Sequence, residues 1–243
     1  MDFKWQTSKC KSNVRQFLCM ICLSIGSLLS FSELALAANV ERVQGSSIGC
    51  TVKLTGTIVD GDAEKVNSVL AETEGPERVC FDSPGGSYLE GLEIAKVNKA
   101  PTGVDEGNRC ESACFLAFMS GLTDRTEDRP FLADRVMHPR AKVGFHAPSL
   151  NVDSGSFSSD ELNKAYQIAL QSIAELLKFR EGQNSYARKG EAFVFRDSLL
   201  EEMLRVPPQQ MQYIQTIGQA FEYQIAVYPV VLPGSVPGSV IGG

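Results

Sequence analysis

From residue 50 onward the chain alternates between two rhythms of apolar and polar positions. CTVKLTGTIV (50–59) switches residue by residue, the period of a half-buried strand. GDAEKVNSVLAET (61–73) then sets Ala63, Val66, Val69 and Leu70 at helical spacing, with Asp62 placed to cap the helix. RVCFDSPGG (78–86) is a short apolar run closed by a Pro-Gly-Gly turn. YLEGLEIAKVNK (88–99) returns to the helical rhythm through Leu89, Leu92, Ile94 and Ala95. Strand, helix, strand, helix in that order predicts an α/β fold on a parallel sheet.

The second half is less regular. ACFLAFMSG (113–121) is almost wholly apolar, as expected of a helix buried against a sheet. TDRTEDRPF (123–131) and LNVDSGSF (150–157) read as surface loops, and between them KVGFHAP (142–148) reads as a short strand closed by proline. Ser158 and Glu161 make an S-x-x-E capping box at the head of the longest helix, Ser158 to Phe179. Its apolar stripe is Leu162, Tyr166, Ala169, Leu170, Ile173, Leu176 and Leu177. A further helix over DSLLEEMLR (197–205) stops at Pro207-Pro208. PVVLPGSVPGSVIGG (229–243) has no periodicity and reads as a disordered tail.

The N-terminus changes what the composition means. Lys4, Lys9, Lys11 and Arg15 precede an uncharged, mostly apolar run from Phe17 to Phe31. That run is short against the roughly 20 residues of a membrane span. Ala35 and Ala37 occupy the small-residue positions of an A-x-A cleavage site. Residues 1–37 therefore read as a secretory signal peptide cut after Ala37, an uncleaved anchor being the other reading. The cut removes four basic and two acidic residues, takes the formal charge from −6 to −8, and leaves 206 of the 243 residues. That length suffices for one well-buried domain. Its acidity argues against nucleic acid or an anionic membrane surface as partner. Cys50, Cys80, Cys110 and Cys114 remain, an even count that favours disulfides in an exported chain, in any of three pairings. Zinc would want a C-x2-C pair or clustered histidines. Only His138 and His146 are present, neither so spaced, and no metal or cofactor is expected.

Few residues carry chemistry near neutral pH. His146 ends a short apolar strand, where open α/β sheets place their sites; a satisfied core histidine is the plainer reading. His138 lies between Arg135 and Arg140. Ser112, in RCESACF (109–115), marks the change from a strand-like stretch to an apolar helix, and its plainer reading is an N-cap. A serine there can also be aimed into a cleft, with backbone N–H groups beyond it free to donate to an oxyanion. SPGG (83–86) is an ordinary turn or a second source of such donors, since glycines let backbone approach a substrate. A donor loop, a nucleophile at a helix start and a histidine at a strand end together make an acyl-transfer set. The histidine takes the hydroxyl proton and two donors stabilise the tetrahedral oxyanion.

Four blocks, in order, resemble the proteolytic subunit family of the Clp serine proteases, within the ClpP/crotonase-like fold. LTGTIVDGDAEKV (54–66) is similar to the family's first strand and helix. DSPGGSYLEGLEIA (82–95) is similar to its N-S-P-G-G-S-x-x-x-G-L-x-I segment. GNRCESACFLAFMSG (107–121) and RVMHPRAKVGFHAP (135–148) resemble its serine and histidine blocks, with Ser112 and His146 in register. The resemblance spans about Leu54 to Val227. It implies a domain at 38–228 of repeated β-β-α units wound as a superhelix, a parallel sheet with helices on its outside. It implies Ser112 as nucleophile, His146 as general base and acid, and the N–H groups of Gly86 and Ala113 as oxyanion hole. It further implies a polypeptide substrate, no cofactor, and homo-oligomers assembled through the long helix after Ser158.

The departures matter as much. An insertion falls around TDRTEDRPFLAD (123–134), and cysteines flank Ser112. The family's third catalytic residue, an aspartate, should fall near Met211 or Gln212 if AFEYQIA (220–226) is aligned with the family, and no acid is there. A Ser–His dyad, substitution by Asp197 or another acid, or an inactive protein each follows. A nucleophile turn at Ser112 puts Cys110 before the helix, so the favoured pairs are Cys110–Cys114 and Cys50–Cys80, the second joining neighbouring strands. The reading carried forward is an exported, periplasmic or secreted Clp-like serine peptidase. The alternative is a non-catalytic binding or assembly protein on the same fold. A crotonase-type acyl-CoA enzyme would need a cytosolic cofactor, which export disfavours. A Ser–Lys peptidase would depend on Lys142, which fits less well than His146.

Overall fold

Asn39–Arg42 forms β1, a strand that the sequence pattern does not mark. It lies antiparallel along β2 (Val52–Thr55), the centre of the alternating stretch. In β2 Val52 and Leu54 are fully buried while Lys53 and Thr55 are partly exposed, as a period of two requires. Helix α1 (Asp62–Ala71) follows. Asp62 is its first residue rather than its N-cap: Gly61 takes the cap at φ 95°, a conformation L side chains avoid. The buried Asp62 carboxylate instead accepts from the Val59 N–H at 2.8 Å and meets Lys65 at 2.7 Å. Then come β3 (Val79–Asp82) and α2 (Tyr88–Val97), which Ser87 caps by accepting from the Glu90 N–H.

Two runs of two successive strands come next, each run divided between two sheets. β4 (Thr102–Val104) and β5 (Arg109–Glu111) lead into α3 (Ala113–Met119). After a small antiparallel pair, β6 (Leu122–Thr123) with β7 (Leu132–Ala133), the strands β8 (Arg135–Met137) and β9 (Lys142–Phe145) lead to α4 (Ser159–Ser185). α5 (Asp197–Arg205), β10 (Gln212–Tyr213), α6 (Ile217–Glu222) and β11 (Ala226–Val227) follow. The structure, a computed structural model, describes residues 37–72, 77–123, 132–150, 154–185 and 195–228, all within one compact unit. The signal-like segment up to residue 36, the loop residues 124–131 and the 229–243 tail lie outside the described residues.

Six strands form one sheet in the order β1-β2-β3-β4-β8-β11, parallel from β2 onward. A second sheet, β10-β9-β5, sets β5 parallel to β9, and the Ser83–Cys110 bridge joins it to the end of β3. The fold is thus mixed α/β around a largely parallel sheet. No helix among the described residues is long and apolar enough to cross a membrane.

All seven residues of α3 are buried, which explains its unbroken apolar run. Phe115 packs on Phe145 of β9 with ring centroids 4.9 Å apart, and Phe145 meets Tyr223 edge-on at 6.1 Å. Burying each such phenyl ring stabilises by roughly 1.5–3 kcal/mol. α2 crosses the head of α3 so closely that a Cβ on Gly91 would stand 2.5 Å from the Ala113 carbonyl oxygen. Arg135 of β8 is fully buried; it donates to the Tyr223 carbonyl at 3.2 Å, at the C-terminal end of α6, and burial pushes its pKa down to about 9.

α4 runs longer than the pattern predicts, to Ser185. Its capping box is formed: Glu161 accepts from the Ser158 N–H at 2.7 Å and its own N–H donates to Ser158 Oγ at 3.3 Å. The apolar stripe, however, is mostly not a core stripe. Leu176 is fully buried, but Leu162, Tyr166, Leu170 and Leu177 stay exposed. Only the part around Leu176 and Phe179 joins the core.

Candidate active site

The register of two neighbouring parallel strands builds the site. Glu111, the last residue of β5, pairs with Gly144 of β9. Ser112 therefore leaves β5 beside Phe145, and His146 leaves β9 one residue further on. The Ser112 N–H donates to the Gly144 carbonyl at 3.1 Å, which fixes the offset. Ser112 occupies the N-cap position of α3 without capping it: its side chain makes no capping hydrogen bond, and its backbone stands at φ 55°, ψ −122°. A non-glycine residue held in such a region costs on the order of 1–3 kcal/mol and persists only where its surroundings over-determine it.

Those surroundings are the SPGG loop. Ser83 is buried and receives β5 on both sides, its N–H donating to Arg109 O at 2.8 Å and its carbonyl accepting from the Glu111 N–H at 3.1 Å. Gly85 lies against the turn itself: a Cβ there would stand 2.6 Å from Glu111 O and 2.7 Å from Ser112 Cβ. Gly86, at φ 144°, has no room either, since its Cβ would fall 2.1 Å from the Ile58 carbonyl oxygen. Ile58 holds the loop by donating to Gly85 O at 2.8 Å and accepting from the Ser87 N–H at 2.8 Å. Among the described residues, neither the Gly86 nor the Ala113 N–H donates to a protein acceptor. Both residues line one cleft of about 390 Å³ together with Ser112, Leu116, His146 and Pro208.

His146 is oriented by backbone. Its Nδ1 lies 2.7 Å from the Ala147 carbonyl oxygen. That oxygen can only accept, so Nδ1 carries a proton, and in the neutral ring Nε2 is then the acceptor. Ala147 is itself anchored by donating to Val206 O at 2.9 Å. No hydrogen bond joins Ser112 Oγ to the imidazole in this structure.

The remaining sequence candidates lie elsewhere. Gln212 of β10 pairs with Phe145, so the position expected of the missing aspartate does run beside the histidine strand. The next residue, Tyr213, reaches across to donate to Glu111 Oε1 at 2.8 Å. That hydrogen bond, more than burial, raises the phenol's pKa above its ordinary value. Asp197 is exposed at the head of α5 and pairs with Arg180, outside the cleft lining. His138 accepts from the Arg140 N–H at 3.1 Å and faces Glu106 at 3.9 Å. Lys142 is exposed at the far end of β9 from His146. Among the described residues, no three His, Cys, Asp or Glu side chains gather as a metal would need. The cysteines meet in two pairs at disulfide distance, Cys50 with Cys80 and Cys110 with Cys114, with Cα separations of 5.6 and 5.2 Å.

Two features escape sequence reasoning. The Ala147 carbonyl leaves no trace in a side-chain pattern. The Glu111–Tyr213 contact joins positions 102 apart, and only the absence of an acid near Met211 or Gln212 draws attention to that strand.

No family model matches the chain, and no curated protein matches it. Among solved structures, a mutant of ClpP1 from Listeria monocytogenes is similar at 13% identity and a TM-score of 0.46, over 72% of this chain and 88% of that one.

Proposed function

We propose that this chain is an exported Clp-like serine hydrolase, a peptidase acting on extended polypeptide. The observation that carries the reading is Ser112: a non-capping serine in a strained positive-φ turn, on one cleft with His146 and two N–H donors that no described residue accepts from. Ser112 Oγ attacks the scissile carbonyl and its proton passes to His146 Nε2. The oxyanion accepts from the Gly86 and Ala113 N–H groups. His146 then protonates the leaving amine, and water releases the acyl group by the same route. The Ala147 carbonyl takes the orienting part of a third catalytic residue. It fixes the tautomer but brings no full negative charge, so the imidazolium is less stabilised than beside a carboxylate. In this reading the Ser112–imidazole bond, unmade in the unliganded chain, forms when substrate fills the cleft.

The wider reading assigns residues 1–37 to a signal peptide, 38–228 to a Clp protease-like domain of β-β-α units and 229–243 to a tail. The product is periplasmic or secreted, with both cysteine pairs oxidised, and assembles as homo-oligomers. A second reading, a non-catalytic binding protein on this fold, is favoured by the missing acid and the unmade Ser112–His146 bond. A fluorophosphonate probe separates the two. The mature protein is expected to label at Ser112, Ser112→Ala not at all, and His146→Ala at least 100-fold more slowly, an order-of-magnitude expectation of about 10²–10⁴ for a general base. Well-folded protein that takes no label would leave the binding reading.

A further inference from the structure

The Cys110–Cys114 pair encloses Ser112, and nothing in the reaction above uses it. Cys110 lies in β5, paired with Val143 and bridged to Ser83, so strands hold its backbone on both sides. Cys114 is the second residue of α3, and both cysteines are fully buried. Ser112 stands midway, at φ 55°. Relaxing that φ to the negative values a serine prefers swings the chain by roughly 120°. Either the two Cα atoms then separate or the strand and helix shift. A bond that keeps them within the ~4.4–6.8 Å of a disulfide resists both.

We infer that the Cys110–Cys114 disulfide is a positioning crosslink that holds the nucleophile in its strained turn, so that Ser112 is competent only in the oxidised chain. Its effect on activity rests on the hydrolase reading; its effect on the turn does not. In the reduced chain two thiols replace the bond. They close it by exchange with a disulfide such as glutathione disulfide, which takes up their two protons and two electrons and leaves as two thiols. A copy still in a reducing compartment thus carries an unformed nucleophile. Cys50–Cys80 supplies the control, because it lies in a separate apolar cluster with Ile48 and Val136.

The test uses the exported chain with native cysteines, Cys110→Ala/Cys114→Ala and Cys50→Ala/Cys80→Ala. Two quantities are measured: the fluorophosphonate labelling rate at Ser112, and amide hydrogen exchange in peptides covering 109–119. Losing the Cys110–Cys114 bond is expected to slow labelling by about ten-fold or more, as misplacing oxyanion donors does. It is also expected to speed exchange in 109–119 by about ten-fold while the six-stranded sheet keeps its protection. Cys50→Ala/Cys80→Ala keeps both properties, loses them with dithiothreitol, and regains them with glutathione disulfide. That reversible arm decides the matter if the other variant does not fold. Labelling within about two-fold of native after the bond is lost, or unchanged exchange in 109–119, overturns the proposal. If the native chain itself takes no label, the hydrolase reading falls, and exchange alone then upholds or overturns the crosslink.

Discussion

A serine at φ 55° survives in this chain because its neighbours leave the backbone no easier path, and Gly85 lies directly against that turn. A methyl group at Gly85 meets Glu111 O and Ser112 Cβ, so Gly85→Ala must push the SPGG loop off the Ser112 turn. The expected cost is about 1–3 kcal/mol of stability, read by urea unfolding, with labelling at Ser112 down about ten-fold or more. Gly107→Ala is the matched control: it has the same positive-φ strain, at φ 73°, but nothing within 4 Å of the added methyl. It should lose stability without losing label; equal loss of label in both would show that the contact with the turn is irrelevant. Ser112, His146, Gly86 and Ala113 were legible as candidates because each sits in a short motif that resembles a known family's, and the fold brings all four onto one cleft. The orienting Ala147 carbonyl was not, since every residue has a carbonyl and only the fold says which one faces a ring nitrogen. Asp197 illustrates the converse: a suitable side chain, committed by the fold to Arg180 instead.

At the scale of elements, length decided what could be read. α1, α2, α3 and α5 are runs whose apolar positions recur or are continuous, and the pattern finds them within a residue or two. β10 and β11 have two residues each, too few for any period, and exist only because β9 and β8 offer them a partner. The α4 stripe was legible as a helix face, but periodicity does not say what covers that face. β10 owes part of its hold to Tyr213, whose hydroxyl donates to Glu111 of β5 across β9. The raised phenol pKa has a definite sign. The folded state keeps that proton to higher pH than the unfolded chain, so the contribution is complete below about pH 10. It fades as pH climbs through the folded value. Tyr213→Phe is expected to cost about 0.5–1 kcal/mol at pH 8, below the usual worth of a bond to a charged group because the pair is partly exposed. At pH 11 and above, the gap from native should shrink. Urea midpoints at the two pH values check this, and a gap that does not change would remove Glu111–Tyr213 as its source.

For the whole molecule, the two crosslinks work at different ranges. Closing the 30-residue separation of Cys50–Cys80 restricts the unfolded chain by about 3–4 kcal/mol, against about 2 for the Cys110–Cys114 ring. The proposed export would supply the oxidising conditions for both, and the fold bears on where an exported chain would begin. Ala37 bridges Thr57, while Ala38 is 2% exposed and its carbonyl accepts from Lys65 Nζ at 3.2 Å. A cut after Ala37 leaves β1 whole, whereas a cut inside it would strip the edge of the six-stranded sheet. A peptidase needs its target extended and free, so cleavage has to precede the docking of β1 on β2. The exported protein is therefore expected to give an intact mass beginning at Ala38 and four hydrogens lighter than its fully reduced form. Replacing Ala35 and Ala37 by lysine should block the cut and retain the chain at the membrane. A released protein that still carries residues 1–37 would contradict the cleavage site. One that begins beyond Arg42 would contradict that site and also the part β1 plays in closing the edge of the sheet.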